Sequence, residues 1–548
     1  MTGQTVGIDF GTSTTLVAVC EAGGEPRVLP LGRATPWLPS VAGLSDDGSL
    51  VVGEEALRLA LRRQVRSIKA SVTGGAATVT VDGIEIEAKT VMKAVLAEAL
   101  RRAVQAQPSL LNSSRVFLGC PALWTGTERR LLADVAYELG LDVDVADIID
   151  EPVAAGLHSV HSRWLQGTNL LSGRTVVFDA GGGTLDVAFL DVAHGQIDDF
   201  TVLSAEGIPI SGDAVDSAVT AHLLDRLQTD RDLETAHMLL RLRATELKEA
   251  LSAVTERTMA LGSPFDLMVS LTRPKLEELF SPQMERSAKL VISAVRGSLL
   301  RTVQVPSPTE IRATRWDQLA DPVLHVILVG GLSQMPIIAT RLRSIFKNAS
   351  VGVVERPQES VVLGLAMGDR LNRLNLPRPP VNFVVDFGFE TGASGRALAE
   401  WEQANKYVYR AFSPLYQWHQ LILGETHLRH TRALPYPPGQ VGTLDCTIRC
   451  EGSDRAKTPL RFRVSGHDVG SGAGIRISHS KQVPATFSLF TNGDLLVTGS
   501  KGEQFKARVE RWPNLRGPNH DYQREIELTD RSSGEYPSRL AMDDWRFQ

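Results

Sequence analysis

Cysteine, lysine, aromatic residues and long apolar runs are all scarce in this chain. Four cysteines in 548 residues (Cys20, Cys120, Cys446 and Cys450) cannot build a disulfide framework. Cys446 and Cys450 fall on one face of an expected strand, about 13 Å apart along it, too far to bridge each other and too few for a zinc site. All four read as small buried residues. Nowhere do roughly 18 apolar residues run together, so no transmembrane helix is expected. The first residues enter an apolar strand without a basic region and apolar signal core, and a cytoplasmic protein is the expectation. The net charge of −5 leaves no electrostatic case for a nucleic-acid or anionic-membrane partner. Lysine is the most telling scarcity, with 12 against 46 arginines; only Lys69, Lys89, Lys93 and Lys248 precede Lys275. A chain so biased towards arginine keeps lysine where a compact point charge is needed.

What is present is a carboxylate followed by glycines, twice. Residues 176–190 run from an apolar strand into Asp179, Gly181, Gly182, Gly183, Thr184 and Asp186, then into a second apolar strand. Three successive glycines weaken a sheet, so they make sense where several free N–H groups point at one anion, most often phosphate. Asp179 beside an anion is misplaced unless a divalent cation lies between them. Residues 6–19 repeat the grammar, with Asp9 followed by Gly11, Thr12, Ser13 and Thr14 and a returning apolar strand. The two copies are a domain's length apart. Two similar lobes would each offer a hairpin tip and a carboxylate to one phosphate chain between them.

Elsewhere helices and strands alternate. Leu57, Leu61, Val65 and Ile68 at helical spacing predict a helix over 54–68 ending near Lys69, with Arg58, Arg62, Arg63 and Arg66 as its solvated face. Residues 78–87 read as two strands turned at Asp82-Gly83. Helices are expected over 90–107, stopped by Pro108, and from a Thr127 cap to Leu139, ended by Gly140. Between them an apolar strand leads into Pro121-Ala122-Leu123-Trp124. Further helices are expected over 213–227, 235–254, 274–300 and 359–374. Residues 323–329 form a buried strand entering Gly330 and Gly331, with Ser333 as N-cap and Pro336 in the first turn of the next helix. Beyond Pro380 the pattern changes to period two, at Leu444 to Cys450, Leu460 to Val464, Phe487/Leu489, Leu495/Val497 and Phe505 to Val509, with a hairpin turn at Asn492-Gly493. Residues 391–438 carry no readable pattern. His158, His161 and His194 have no partners at ligand spacing and read as core or surface histidines.

Taken in order, Asp9–Thr14, Asp179–Asp186 and Val329-Gly330-Gly331 resemble the superfamily of sugar kinases, actin and the DnaK-type heat-shock chaperones. Pro121–Trp124, Arg129 and Ile149–Leu157 look like the chaperone branch, over roughly residues 5–370, and residues 483–497 are similar to that family's substrate-binding β-domain. The resemblance implies an α/β fold: a two-lobed actin-like or ribonuclease-H-like ATPase domain over 1–376, with lobe I about 1–172 and lobe II about 173–376. A linker over 377–390 and a β-sandwich-like module over 391–548 would follow. It implies ATP/ADP and Mg²⁺ as cofactors, with Asp9, Asp179 and Glu151 around a hydrated metal, Glu151 through water. Gly11, Thr12, Ser13 and Thr14 would cradle the phosphates with Gly181, Gly182 and Gly183. Gly212, Gly330 and Gly331 would line the nucleotide, and Lys248 and Ser252 would meet ribose and base. Thr184 and Lys69 would position the attacking water, so that Lys69, Thr184, Glu151 and Asp179 form the expected catalytic set. On its own residues Lys69 also reads as a solvated lysine at a helix end. The adenosine end departs from the family, with Thr245 for a glutamate, Glu249 and Gln334 for stacking arginines, and Gln358 for an acid. Loose base selectivity is the expectation.

The implied function is an ATP-dependent chaperone, in which nucleotide gates the binding of unfolded or extended peptide segments by the β-module. A co-chaperone or folded protein would be a further partner; no nucleic acid or membrane is expected. Pro121, Arg129 and Asp386 would couple the domains, with Val381–Asp386 as an apolar linker; the same stretch also reads as the first strand of the β-module. No helical period follows Val509, where Pro513, Pro518 and Pro537 fall, so the family's helical lid is expected to be missing. One rival is a nucleotide-binding scaffold without turnover. Another is a small-molecule kinase, although no aspartate stands in a sugar-kinase setting. An actin-like filament protein is a third, which the β-module argues against.

Overall fold

A computed structural model of the chain describes residues 3–509 apart from 113, 125, 144–146, 167–171, 193–199, 228–232, 302–309, 311–312, 370–380, 390–395, 412, 414–428, 453–461, 465–466, 469–473 and 491–493. Two lobes carry one sheet plan. In the first, β1 (Thr5–Phe10) and β2 (Thr14–Cys20) form an antiparallel hairpin. Arg115–Cys120 and then Ile148–Asp150 lie parallel on the β1 side, and Arg27–Val28 lies antiparallel on the β2 side. In the second, β3 (Gly173–Ala180) and β4 (Leu185–Val192) form the hairpin. Val323–Val329 and Ser350–Val353 lie parallel beside β3, and Phe200–Ile208 lies antiparallel beside β4. The same five-strand order is therefore built twice. Both hairpins are buried along nearly their whole length, which requires their near-continuous Val, Ile, Leu and Phe.

Four helices matter for the site: α1 (Ile68–Thr73), α2 (Glu151–Gln166), α3 (Gly212–Arg226) and α4 (Leu233–Leu251). The lobes exchange their covering helices. α2 follows the last parallel strand of lobe I yet packs Val153, Leu157 and Val160 with Val177, Ala188 and Leu190 of lobe II. Ser360–Leu365 follows lobe II yet places Val362 and Leu363 on Leu16 and Ala18 of lobe I. The two helices meet at Gly364, where a Cβ would overlap the Ala154 carbonyl. This apolar crossing pins the lobes together and leaves the two hairpin turns facing each other.

The C-terminal region is a two-sheet sandwich. One sheet runs Tyr407–Tyr409, Val381–Gly388, Thr443–Gly452, Ile475–Ser480; the other runs Arg429–Ala433, Thr486–Phe490, Asp494–Thr498, Gln504–Val509, Phe462–Val464, His467–Asp468. Phe383, Val385, Phe387, Cys446 and Ile448 of the first share a core with Phe487, Leu489, Leu495 and Val497 of the second. The period-two segments are strands, as their alternation requires. Val381–Asp386 is not a linker: it belongs to a strand paired on both sides, because its apolar side chains fill the sandwich. Residues 396–405 form a helix and 429–433 a strand, in a region with no sequence signal. His194, the Asn492-Gly493 turn and residues 510–548, where the missing lid was expected, lie outside the described residues.

Several local expectations needed correction. Residues 54–68 are not one helix but two short 3₁₀ turns, Ala56–Arg58 and Leu61–Arg63, followed by a strand at Gln64–Val65. Val65 pairs with Ala42, so a tertiary contact overrides the helical spacing, and Leu57 points to solvent. The basic run is accordingly no helix face; Arg62 and Arg63 pair with Asp82, and Arg63 also with Asp46. Ser333 lies in a 3₁₀ turn and donates to the Gly330 carbonyl, while Met335 takes the N-cap position before Pro336. The last helix stops at Leu365. The hairpin Glu256–Gly262 with Phe265–Thr272 went unread in the sequence. The Asp82-Gly83 turn has positive φ at both residues, as that turn demands. All four cysteines are buried.

Candidate nucleotide site

The two turns have one geometry. Gly11 N donates to Thr14 O at 3.0 Å, and Gly181 N donates to Thr184 O at 3.2 Å. Their tips are close. A Cβ on Gly182 would lie 2.6 Å from Ser13 Oγ, and one on Gly183 would lie 2.7 Å from Thr12 Oγ1. The glycines are thus required by the approach of the opposite lobe as well as by the N–H groups they free. The Gly181 carbonyl accepts from Ser211 Oγ (2.6 Å) and Gly212 N (3.2 Å), and the Gly182 carbonyl accepts from Asp213 N (2.6 Å). These bonds tie the start of α3 to the glycine turn. Behind the turn, Gly330 has φ +80, and a Cβ there would lie 2.6 Å from Asp179 Oδ1. Gly331 follows it, beside the Gln358 amide.

Charge is concentrated where the turns meet. Lys69, on α1, is only 2 % exposed and forms an ion pair with Glu151 at the start of α2. Its Nζ lies 5.9 Å from the centre of the Trp124 ring, and Trp124 Nε1 donates to Thr73 Oγ1 at 2.9 Å. It is no solvated lysine. Burial disfavours its charge, but Glu151, Asp9 and Asp186 outweigh burial and hold its pKa above the ordinary lysine value. Burial first, and the Glu151 charge second, push Asp9 up to about 7 despite Lys69. Asp179 is raised well above the ordinary carboxylate range by burial, then by Glu151, Asp186 and Asp9. Asp186 is pushed up to about 7 by burial and Glu151, against Thr184 and Lys69. It also accepts from Ala122 N at 2.6 Å. Asp186 carried no role in the sequence reading. The signal was its register: Asp179 and Asp186 are directly opposed across the hairpin, so both side chains share a face.

Four buried carboxylates share one ammonium, and the raised pKa values of Asp9, Asp179 and Asp186 mark a place where an added cation would favour their charged forms. Among the described residues no three His, Cys, Asp or Glu side chains converge into a ready ligand set. The acids sense one another without meeting at a point.

Residues 5–371 match the family described as Hsp70 protein. This chain belongs to the Hsp70 family. A curated relative, the chaperone protein DnaK of Picrophilus torridus, is 28% identical over 381 residues, covering 66% of this chain and 57% of the relative. The match thus spans little more than half of that relative's length. Hsp70 family members are ATPases that bind ATP or ADP, typically with Mg²⁺, and the α/β actin-like domain with a β-sheet region after it is the architecture seen in this chain.

Two of the residues expected at the adenosine end bond to one shared partner. Lys248 Nζ pairs with Asp216 at 2.8 Å and reaches the Gly212 carbonyl at 3.3 Å, while Thr245 Oγ1 donates to the other Asp216 oxygen at 2.8 Å. Ser252 lies just beyond α4, half-buried, and Glu249 and Gln334 are exposed. Of the three coupling residues, Pro121 opens the turn that carries Ala122 and Trp124. Arg129 is fully buried, pairs with Asp150 and donates to the Ile148 (3.2 Å) and Trp124 (3.1 Å) carbonyls. Asp386 is half exposed on the sandwich and pairs with Arg449 at 2.9 Å, a contact within the module. No helix among the described residues is long and apolar enough to cross a membrane.

Proposed function

We propose that this chain binds Mg²⁺-ATP between its lobes and hydrolyses it, and that its β-module binds unfolded or extended peptide segments under nucleotide control. The carrying observation is Lys69, buried on Glu151 with Asp9, Asp179 and Asp186 around it, at the junction of two matching turns. Packing alone gives no reason for so much buried charge, which costs stability unless a ligand answers it. The hydroxyls of Thr12, Ser13 and Thr14 and the N–H groups of Gly181 to Gly183 receive the β- and γ-phosphates. Asp9, Asp179 and Glu151, joined by Asp186, would hold Mg²⁺, whose charge would offset that of the phosphates. Lys69 and Thr184 orient the attacking water. Positioning and electrostatics of this kind are most of what phosphoryl transfer asks of a protein. Lys248 and Gly212 mark the ribose end.

A two-sheet module after the nucleotide domain and a relative named as a chaperone support the peptide-binding part. Coupling requires that nucleotide and peptide each favour one of two states. Pro121 and Arg129 are suited to it, because Arg129 holds the residue preceding Glu151. Calorimetry and single-turnover hydrolysis on the full chain test the reading. Asp179→Asn should weaken Mg²⁺-dependent ATP affinity, and Lys69→Ala should leave ATP bound while slowing hydrolysis, each by at least about tenfold. No ATP binding at millimolar levels sinks the proposal. Binding without turnover in the wild type would favour the scaffold instead.

A further inference from the structure

Away from the carboxylate cluster, two side chains reach each other across the cleft. Ser67 Oγ of lobe I donates to Asp213 Oδ2 of lobe II at 2.7 Å. Both residues are half-buried, so water competes for the bond only in part. Ser67 occupies the N-cap position of α1, where a serine ordinarily accepts from its own helix. Here it makes no such cap bond, and its hydroxyl goes to the other lobe. Its φ of 57 lies in the left-handed region, which a non-glycine residue holds only when its surroundings require it.

Each partner is anchored to the site. Ser67 stands two residues before the buried Lys69. Asp213 lies in the first turn of α3, and its N–H donates to the Gly182 carbonyl at 2.6 Å. The bond is therefore a strut from the helix carrying Lys69 to the glycine turn opposite. Beside it the lobes repel. Arg66 faces Arg241 of α4, and its guanidinium is held below the ordinary arginine value by burial and then by Arg241. Arg66 donates to Gln64 (2.9 Å) and Arg241 to Ser217 (3.1 Å), both uncharged. An attractive contact is thus set beside a like-charge pair.

We propose that the Ser67–Asp213 hydrogen bond is an interlobe latch, whose making and breaking sets how fast nucleotide leaves the cleft. Ser67 and Asp213 are positioning residues in it, and the proposal rests on the nucleotide reading above. A second cross-lobe bond, from Ala122 N to Asp186, is buried and uses a main-chain donor, so it suits a fixed joint.

The test is stopped-flow release of fluorescent ADP, with Mg²⁺, from the full chain. Ser67→Gly removes the hydroxyl while suiting the left-handed backbone, so folding is not put at risk. Ser67→Gly and Asp213→Ala should each speed release about three- to tenfold, the size expected for one half-buried hydrogen bond whose partners water can still reach. The double variant should be no faster than the faster single, and Asp213→Asn, which keeps an acceptor oxygen, should fall between wild type and Asp213→Ala. Wild-type release from Ser67→Gly overturns the latch, as do effects that multiply in the double variant, which is what unrelated packing losses would give. If the wild type holds no labelled ADP, the nucleotide reading fails and the latch with it.

Discussion

The hairpins β1–β2 and β3–β4 share a turn bond and a sheet order, yet they differ at two kinds of position. The first turn carries Thr12 and Ser13 where the second carries Gly182 and Gly183. At the register position opposite the aspartate, lobe I has Leu16 and lobe II has Asp186. The lobe I hairpin thus supplies hydroxyls and one acid, and the lobe II hairpin supplies clearance and two acids. The asymmetry follows from facing the two copies: side chains on both tips would collide, as the 2.6 and 2.7 Å approaches to Ser13 and Thr12 show. A duplicated backbone places two equivalent sets of positions, and the cleft between them forces the sets apart in chemistry.

Exchanging the register-matched residues attacks this comparison most directly. Leu16→Asp would put a carboxyl on an apolar patch formed by Val362, Leu363 and Ala366, at a position 1 % exposed. A loss of about 3–5 kcal/mol in denaturant unfolding is expected; an unchanged midpoint would mean the lobes are not specialised there. The reverse exchange, Asp186→Leu, removes a buried carboxyl but also takes the acceptor from Ala122 N, so the stability of the nucleotide-free protein should change little. It should weaken Mg²⁺-dependent ATP binding by at least about 1.4 kcal/mol, read by calorimetry.

The turn tips give a smaller effect. Gly182→Ala should cost about 1–2 kcal/mol of thermal stability through overpacking against Ser13, and less in a Ser13→Gly background. Full additivity would show that the tips do not touch. Base selectivity sharpens the picture at the other end of the cleft. With Glu249 and Gln334 exposed, competition binding should show less than about tenfold preference for ATP over GTP.

The crossing helices differ as well, and the smallest effect is expected there. α2 carries His158, which burial, then Arg356 and His161, push down to about 4. Its folded pKa is below its unfolded value, so the unfolded chain binds the proton more readily between them. Stability should fall as pH drops from 6.5 towards about 4. His158→Gln should flatten that part of the profile by about 1 kcal/mol, measured by urea unfolding across the range.

Much of the first domain was legible because its signals are local. An aspartate ending an apolar strand, a glycine or hydroxyl turn and a returning strand determine a hairpin by their own backbone preferences, and so the two hairpins were readable. The same holds for Asp82-Gly83 and for the alternating strands of the sandwich. The residues meeting at the cleft came from resemblance as well as pattern. Asp186 was overlooked although its register is implied by the hairpin itself.

What only the tertiary structure decided depends on partners distant in the chain. Helical spacing over residues 54–68 lost to the pairing of Val65 with Ala42, because a short apolar segment takes whichever neighbour buries it. Val381–Gly388 became a strand because the sandwich offers it two partners and a core. Lysine scarcity and the family resemblance singled out Lys69 in the sequence, but its burial on Glu151 exists only where two lobes close over it. The composition and turns of this chain determine its elements. The exchange of α2 and Ser360–Leu365 between the lobes decides which of their side chains meet, because burial and charge are set by what packs opposite.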